Sequence, residues 1–229
     1  MPEADNAKLT LPTIVDAAID VADSDGLGGL SMRRIADVLG VGAMSLYRHV
    51  ADKDALLQEM SEEIGRRFPY PVDQAGPWTW RERVQIAVDV DWQLYRRHPW
   101  VVLAYSSPRH SFGEESLVCL DWLAAGFTDL GVDVERSIEM ALTVWSFVHG
   151  VALVMVSDAL LRPDNPSAPP DGLAELARGN TDPALPHLSG LATSPDAARL
   201  LDPRNRLDAG IEFLCAGFEA AAQGSRRTD

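Results

Sequence analysis

Ser45, Tyr47, Arg48 and His49 crowd one short stretch, and Lys53 follows about one helical turn later. Their hydroxyl, phenol, guanidinium, imidazole and ammonium groups are the donors that hold the phosphate oxygens of a nucleic acid. A purely structural helix of this length rarely presents five of them together. A second group lies further on. Asp91, His98 and His149 fall on apolar helical faces among several tryptophans. An ionised carboxylate in a core is costly unless it is paired or hydrogen-bonded. Asp91 therefore either caps or pairs with an internal Arg or His, or lines a cavity and meets a ligand's donor group. A few polar groups among large aromatics are the lining of a small-molecule pocket. Asp91, Trp92, Tyr95, His98, Trp100, Trp122, Trp145 and His149 are its candidate residues.

Other chemistries find little support. There is no Gly-x-Ser-x-Gly, no phosphate-binding loop and no His/Cys metal cluster. We expect no enzyme, no cofactor and no metal; Asp91 with a histidine as a proton shuttle is the remaining enzymatic alternative. Asp20, Asp23 and Asp25 resemble a calcium loop, but its twelfth position is Met32 where glutamate is required. Gly26, Gly28 and Gly29 do not follow a strand, so they form no dinucleotide fingerprint.

The donors need elements to aim them. Ser31 can cap a helix in which Ile35, Ala36 and Leu39 share one face, and Gly40 stands where a helix end favours a left-handed residue. Val41 and Leu46 supply the next inward positions. A small residue at the crossing, a glycine at the turn and an aliphatic lock beyond it make a helix-turn-helix; an ordinary helical hairpin is the alternative. Leu11 to Asp25 reads as a preceding helix with Pro12 in its first turn. Asp52 can cap a following helix to about Phe68, striped by Leu56, Leu57, Met60, Ile64 and Phe68. Pro69, Pro71, Gly76 and Pro77 then interrupt the pattern, and all six tryptophans lie beyond.

Residues 11–68, above all the run GLGGLSMRRIADVLGVGAMSLYRHVADKDALL, resemble the N-terminal domain of the tetracycline-repressor (TetR) family. The resemblance implies an all-α protein. Residues 1–68 would be a three-helix helix-turn-helix DNA-binding domain, 69–77 a linker, and 78–229 a helical ligand-binding and dimerisation domain. It maps Arg33, Ala43, Ser45, Tyr47, Arg48, His49 and Lys53 onto DNA-contacting positions. Arg33 could read a guanine edge. Gly42, Ala43 and Met44 lack the amide side chains often found there in relatives.

The net charge of −14 opposes DNA binding at first sight, yet residues 26–53 carry Arg33, Arg34, Arg48 and Lys53 against only Asp37 and Asp52. Surrounding acidity should weaken non-specific attraction and leave discrimination to specific contacts. The sequence shows no charged leader before an apolar run and no charge-free apolar stretch of about 18 residues, so we expect a cytoplasmic protein without a membrane partner. Cys119 and Cys215 lie within apolar helical patterns, as reduced thiols do.

Further helices are expected over Trp78–His98, Glu114–Leu130, from Asp133 to about Leu161, and over Asn205–Gln223, with a short one at Val101–Ser106. Residues 162–203 hold eight of the fifteen prolines and read as a long loop, with a turn of helix near 173–178. On the last helix Leu207, Ile211, Leu214, Phe218 and Ala221 form one stripe; Ala209, Phe213, Ala216 and Ala220 form a second. One apolar arc of about 100° suffices for a monomer. The excess predicts that this helix and the one after Asp133 pack against their copies. Arg97-His98-Pro99-Trp100, Phe147-Val148-His149-Gly150 and the run Arg206–Ile211 resemble the family's C-terminal domain, which dimerises through its eighth and tenth helices and binds an inducer. The expected function is a homodimeric repressor on a palindromic operator, released by a small molecule. The rival from the same class is a ligand-independent DNA-binding protein. The sequence identifies neither ligand nor operator.

Overall fold

Helix α1, Leu11–Gly29, starts on a reciprocal cap. The Thr10 hydroxyl accepts from Thr13 N, and the Thr13 hydroxyl accepts from Thr10 N. Two orphan N–H groups are thereby satisfied. The helix is interrupted at Gly26, whose φ of 69° is left-handed. This is a computed structural model that describes residues 9–74, 76–161 and 202–225 and a few single positions between 185 and 200. The expected turn of helix near 173–178 and most of the 162–203 loop lie outside the described residues.

Among the described residues all regular structure is helical. After α1 come α2 (Met32–Leu39), α3 (Ala43–Leu46), α4 (Lys53–Arg67), α5 (Trp80–Arg97), α6 (Trp100–Tyr105), α7 (Pro108–Ser111), α8 (Glu114–Phe127), α9 (Val134–Leu161) and α10 (Pro203–Ser225). A 3-10 turn, Thr128–Leu130, extends α8. The expected caps are present. Ser31 accepts from Arg34 N at 3.2 Å, Asp52 from Ala55 N at 2.8 Å, and Asp133 from Arg136 N at 2.8 Å.

Two compact units divide the chain: Met1–Pro77 with Asp89–Trp122, and Trp78–Val88 with Leu123–Asp229. The core of the first unit is built from Ile14, Ile19, Leu30, Ile35, Leu46, Leu56, Met60 and Ile64, all sealed from solvent. Residues 89–122 join it through specific bonds. Trp100 Nε1 donates to Asp23 Oδ1 at 2.8 Å, and Tyr70 donates its hydroxyl to Asp91. Arg109 reaches Asp54, and the Glu114 N–H donates to Glu62 at 3.0 Å. Tyr70, in the stretch read as a linker, is only 3% exposed.

In the second unit α10 lies along α9. A Cβ on Gly210 would stand 2.1 Å from the end of the Phe147 ring, so any larger residue there would push that ring aside. Phe127 stacks edge-on against Phe218 at 5.4 Å and tilts against Trp80 at 5.8 Å. Arg81 binds Glu219 at 3.1 Å and Glu212 at 3.3 Å. One expectation needs correction. Residues 140–157 contain no Asp, Glu, Lys or Arg, and Val134–Ser157 is long and apolar enough to cross a membrane. Here, however, Ala141, Val144, Val148 and Ala152 are buried while Thr143, Ser146 and Gly150 face out. That two-sidedness suits a helix in a bundle, whereas a helix surrounded by lipid is apolar on every side.

Candidate nucleic-acid interface and an enclosed carboxyl

The helix-turn-helix is set by its end groups. Gly40 takes φ 66° and ψ 29°, while its N–H and that of Val41 return to Asp37 and Ala36. Such a left-handed cap satisfies the last carbonyls and reverses the chain within three residues. Leu46 then enters the core at 0% exposure. Of the four residues of this helix only Leu46 is fully buried. Met44 is 78% exposed and Tyr47 45% exposed. Arg33, Arg48, His49 and Lys53 are exposed as well, and Ala43 and Ser45 are half-buried.

These positions differ in what holds them. Arg48 donates to the Ser45 hydroxyl at 3.2 Å, and Lys53 Nζ donates to the Leu27 carbonyl at 3.2 Å. Arg34, the other basic residue of α2, is bound to Asp25 at 2.9 Å. Arg33, Tyr47 and His49 make no side-chain hydrogen bond or ion pair with the described residues. They are three unsatisfied donors on one surface. Met44 is exposed beside them, although an apolar residue next to a turn ordinarily signals core.

The candidate pocket residues divide. Asp91, Trp92, Tyr95, His98, Trp100 and Trp122 belong to the first unit; Trp145 and His149 belong to the second, where burial pulls the His149 imidazole below its ordinary pKa. His98 and Trp100 are committed to Asp23: His98 Nδ1 lies 2.8 Å from its Oδ1, and the indole N–H shares that oxygen. Both are almost fully buried. They form a knot joining α1 to the start of α6.

Asp91 is the centre of a different cluster. The Tyr70 hydroxyl donates to both carboxylate oxygens at 3.0 Å, and its ring meets Trp122 edge-on at 5.5 Å. Burial raises the Asp91 pKa to about 7 against the opposing pull of the Tyr70 bond. Burial and then the Asp91 charge raise the phenols of Tyr95 and Tyr105. The Cys119 thiol is pushed up by burial, and Asp91 adds to it. Tyr70, Tyr105 and Cys119 were absent from the pocket residues read in the sequence. Tyr70 was hidden by its proline-rich surroundings and by its distance along the chain from Asp91. Among the described residues no cluster of His, Cys, Asp and Glu could hold a metal ion.

A family profile described as "Bacterial regulatory proteins, tetR family" matches residues 14–60. The HTH-type transcriptional repressor DrrR1 of Streptomyces coeruleorubidus is 35% identical over 144 residues, which is 63% of this chain and only 53% of that protein. Apo ActR from Streptomyces coelicolor superposes with a TM-score of 0.76 at 25% identity, over 96% of this chain and 99% of that one. ActR in complex with actinorhodin gives 0.75 at 26% identity, over 94% and 97%.

Proposed function

We propose, on the premise that this chain belongs to the tetracycline-repressor family of transcriptional regulators, that it works as a homodimeric repressor released from its operator by a small molecule. Its curated relatives are DNA-binding regulators and not enzymes. The observation that carries the reading is the exposed set Arg33, Tyr47 and His49, donors without partners among the described residues, on a helix-turn-helix locked by Leu46. Tyr47, His49 and Lys53 would hold phosphates and fix register, with Arg48 and Ser45 beside them. Arg33 would read a base edge, and Ala43 and Met44 would supply apolar contact to a thymine methyl. Such a regulator acts in the cytoplasm, where its DNA is.

The dimer is supported by what α9 and α10 leave outside. Ala209, Phe213, Ala216 and Ala220 are all exposed, Phe213 at 77%. On α9, Val134, Ile138 and Val154 are exposed too. Pairing these faces with their copies makes a four-helix interface and sets the separation of the two reading helices. Successive major grooves require about 34–36 Å. A ligand that favours another separation lowers DNA affinity by shifting the population.

A gel shift on the upstream intergenic DNA, repeated with a compound library, tests the whole reading. We expect a salt-sensitive, sequence-specific shift that some compound reverses. Failure to bind that DNA at micromolar protein would refute it. Phe213→Asp should turn a dimer into a monomer by light scattering and weaken operator binding more than a hundredfold; an unchanged mass would refute the proposed interface.

A further inference from the structure

We propose that the enclosed cluster around Asp91 is a receptor for an organic cation, a protonated amine on an aromatic or otherwise apolar body, with the Asp91 carboxylate as counter-ion. This names the ligand class for the ligand-responsive regulator above and rests on that reading.

The cluster is deep in the first unit, yet Asp91, Tyr105 and Cys119 keep accessible surface. A side chain surrounded by protein that still keeps some surface lines a recess. Aromatic rings stand around the carboxyl: Tyr70 and Tyr95 are buried beside Asp91, and Trp122 packs on the Tyr70 ring. Among the described residues of this cluster the carboxyl is the one ionisable group of low ordinary pKa. A carboxylate can accept about four hydrogen bonds. Asp91 receives one phenol shared between its two oxygens, and no Lys, Arg or His among the described residues pairs with it.

Among the described residues, the further charged groups that act on this cluster share the sign of Asp91. Glu62 on α4 acts on Tyr105, and Glu115 on α8 acts on Cys119. An anion would meet repulsion here. A neutral donor would fill one lone pair and leave the charge uncompensated. A cation satisfies both needs, and aromatic faces attract cations further. The carboxyl is close to half-protonated at neutral pH in the empty site. Binding a cation draws it to the ionised form and releases a proton, so affinity rises with pH. The Tyr95 and Tyr105 phenols and the Cys119 thiol stay protonated throughout this range, because burial moves these three upward.

The test uses the full-length protein and two probes of one shape, 2-(1-naphthyl)ethylamine and its neutral N-acetyl derivative, titrated calorimetrically. The amine should bind at least tenfold tighter than the acetamide. Its affinity should rise about tenfold between about pH 6 and about pH 8, as release of one proton near neutrality requires. Asp91→Asn, which keeps the shape and the Tyr70 bond, should abolish both the preference and the pH dependence. Tyr70→Phe keeps the carboxylate and should retain the preference, which separates charge from folding. Equal affinity for the two probes, a preference that survives Asp91→Asn, or no binding of the amine at millimolar concentration overturns the proposal. The regulatory reading fails separately. If the amine binds through Asp91 but DNA stays bound, the receptor stands and the switch falls. If a neutral compound releases DNA while the amine shows no preference, the switch stands and the receptor falls.

Discussion

Two regions of this protein carry polar side chains that its core does not need, and they carry them in opposite senses. On the helix-turn-helix, Arg33, Tyr47 and His49 are exposed and have no partner among the described residues. Around Asp91 the polar groups point inward, and a carboxyl is held where its charged form is disfavoured. Solvated donors add almost nothing to the folding free energy, and the proposed use for these three is a partner. The enclosed carboxyl destabilises the fold, and natural cores shed such groups unless something binds there. Changes to the first set of side chains should therefore alter binding alone. Changes in the second should alter binding and stability with opposite signs.

The largest effect expected from this contrast is a stabilising one. A carboxyl whose folded pKa is raised from 3.8 to about 7 makes the folded state hold more protons than the unfolded state between those values. Stability therefore falls as pH rises through that window and levels off above it. Asp91→Asn removes the loss. Urea unfolding should show a gain of about 2–4 kcal/mol near pH 8 and close to nothing near pH 4. An unchanged or lower stability near pH 8 would break the contrast.

Asp23 sharpens the comparison, since it is a carboxylate in the same unit with partners in place. It accepts from the Trp100 indole and sits on His98. Asp23→Ala strands a buried N–H and should lower stability by about 1–3 kcal/mol. The two aspartate substitutions thus carry opposite signs in one denaturation assay. In the outward region, Arg33→Ala should leave the unfolding midpoint unmoved while removing about 1–3 kcal/mol of discrimination between operator and mutated operator. His49→Ala should weaken all sequences alike and flatten the salt dependence. Gel shifts at several salt concentrations separate the two.

These regions were also unequally legible in the sequence. Ser31, Gly40, Asp52 and Asp133 act on groups within five residues, so their types and positions announce the helix ends they form. Outward donors are legible for the same reason: once Leu46 is inside, helical geometry sends Tyr47 and Arg48 elsewhere. Buried polar groups are held by partners far along the chain. Asp91 stood out as misplaced, but its partner is the phenol of Tyr70, 21 residues away, and neither an arginine nor a histidine. His98 is tied to Asp23 across 75 residues, although its place on the helix aligned it with Asp91. Periodicity places a residue on a face; it does not name what that face meets.

The smallest effect tests how tightly the outward region is aimed. Gly40 and Gly28 each have open space where a Cβ would go, since neither would meet an atom within 4 Å. They differ in backbone alone: Gly40 has φ +66°, and Gly28 has no such positive angle. Gly40→Ala should therefore cost about 1 kcal/mol, the penalty for a side chain in the left-handed region. Gly28→Ala should be neutral or stabilising by up to about 1 kcal/mol, because it restricts the unfolded chain without straining the folded one. Folded Gly40→Ala protein should bind the operator nearly as well as the parent, since the cap still reverses the chain toward Leu46. If its affinity falls tenfold or more while the fold persists, the left-handed cap sets the angle of the reading helix as well as its stability.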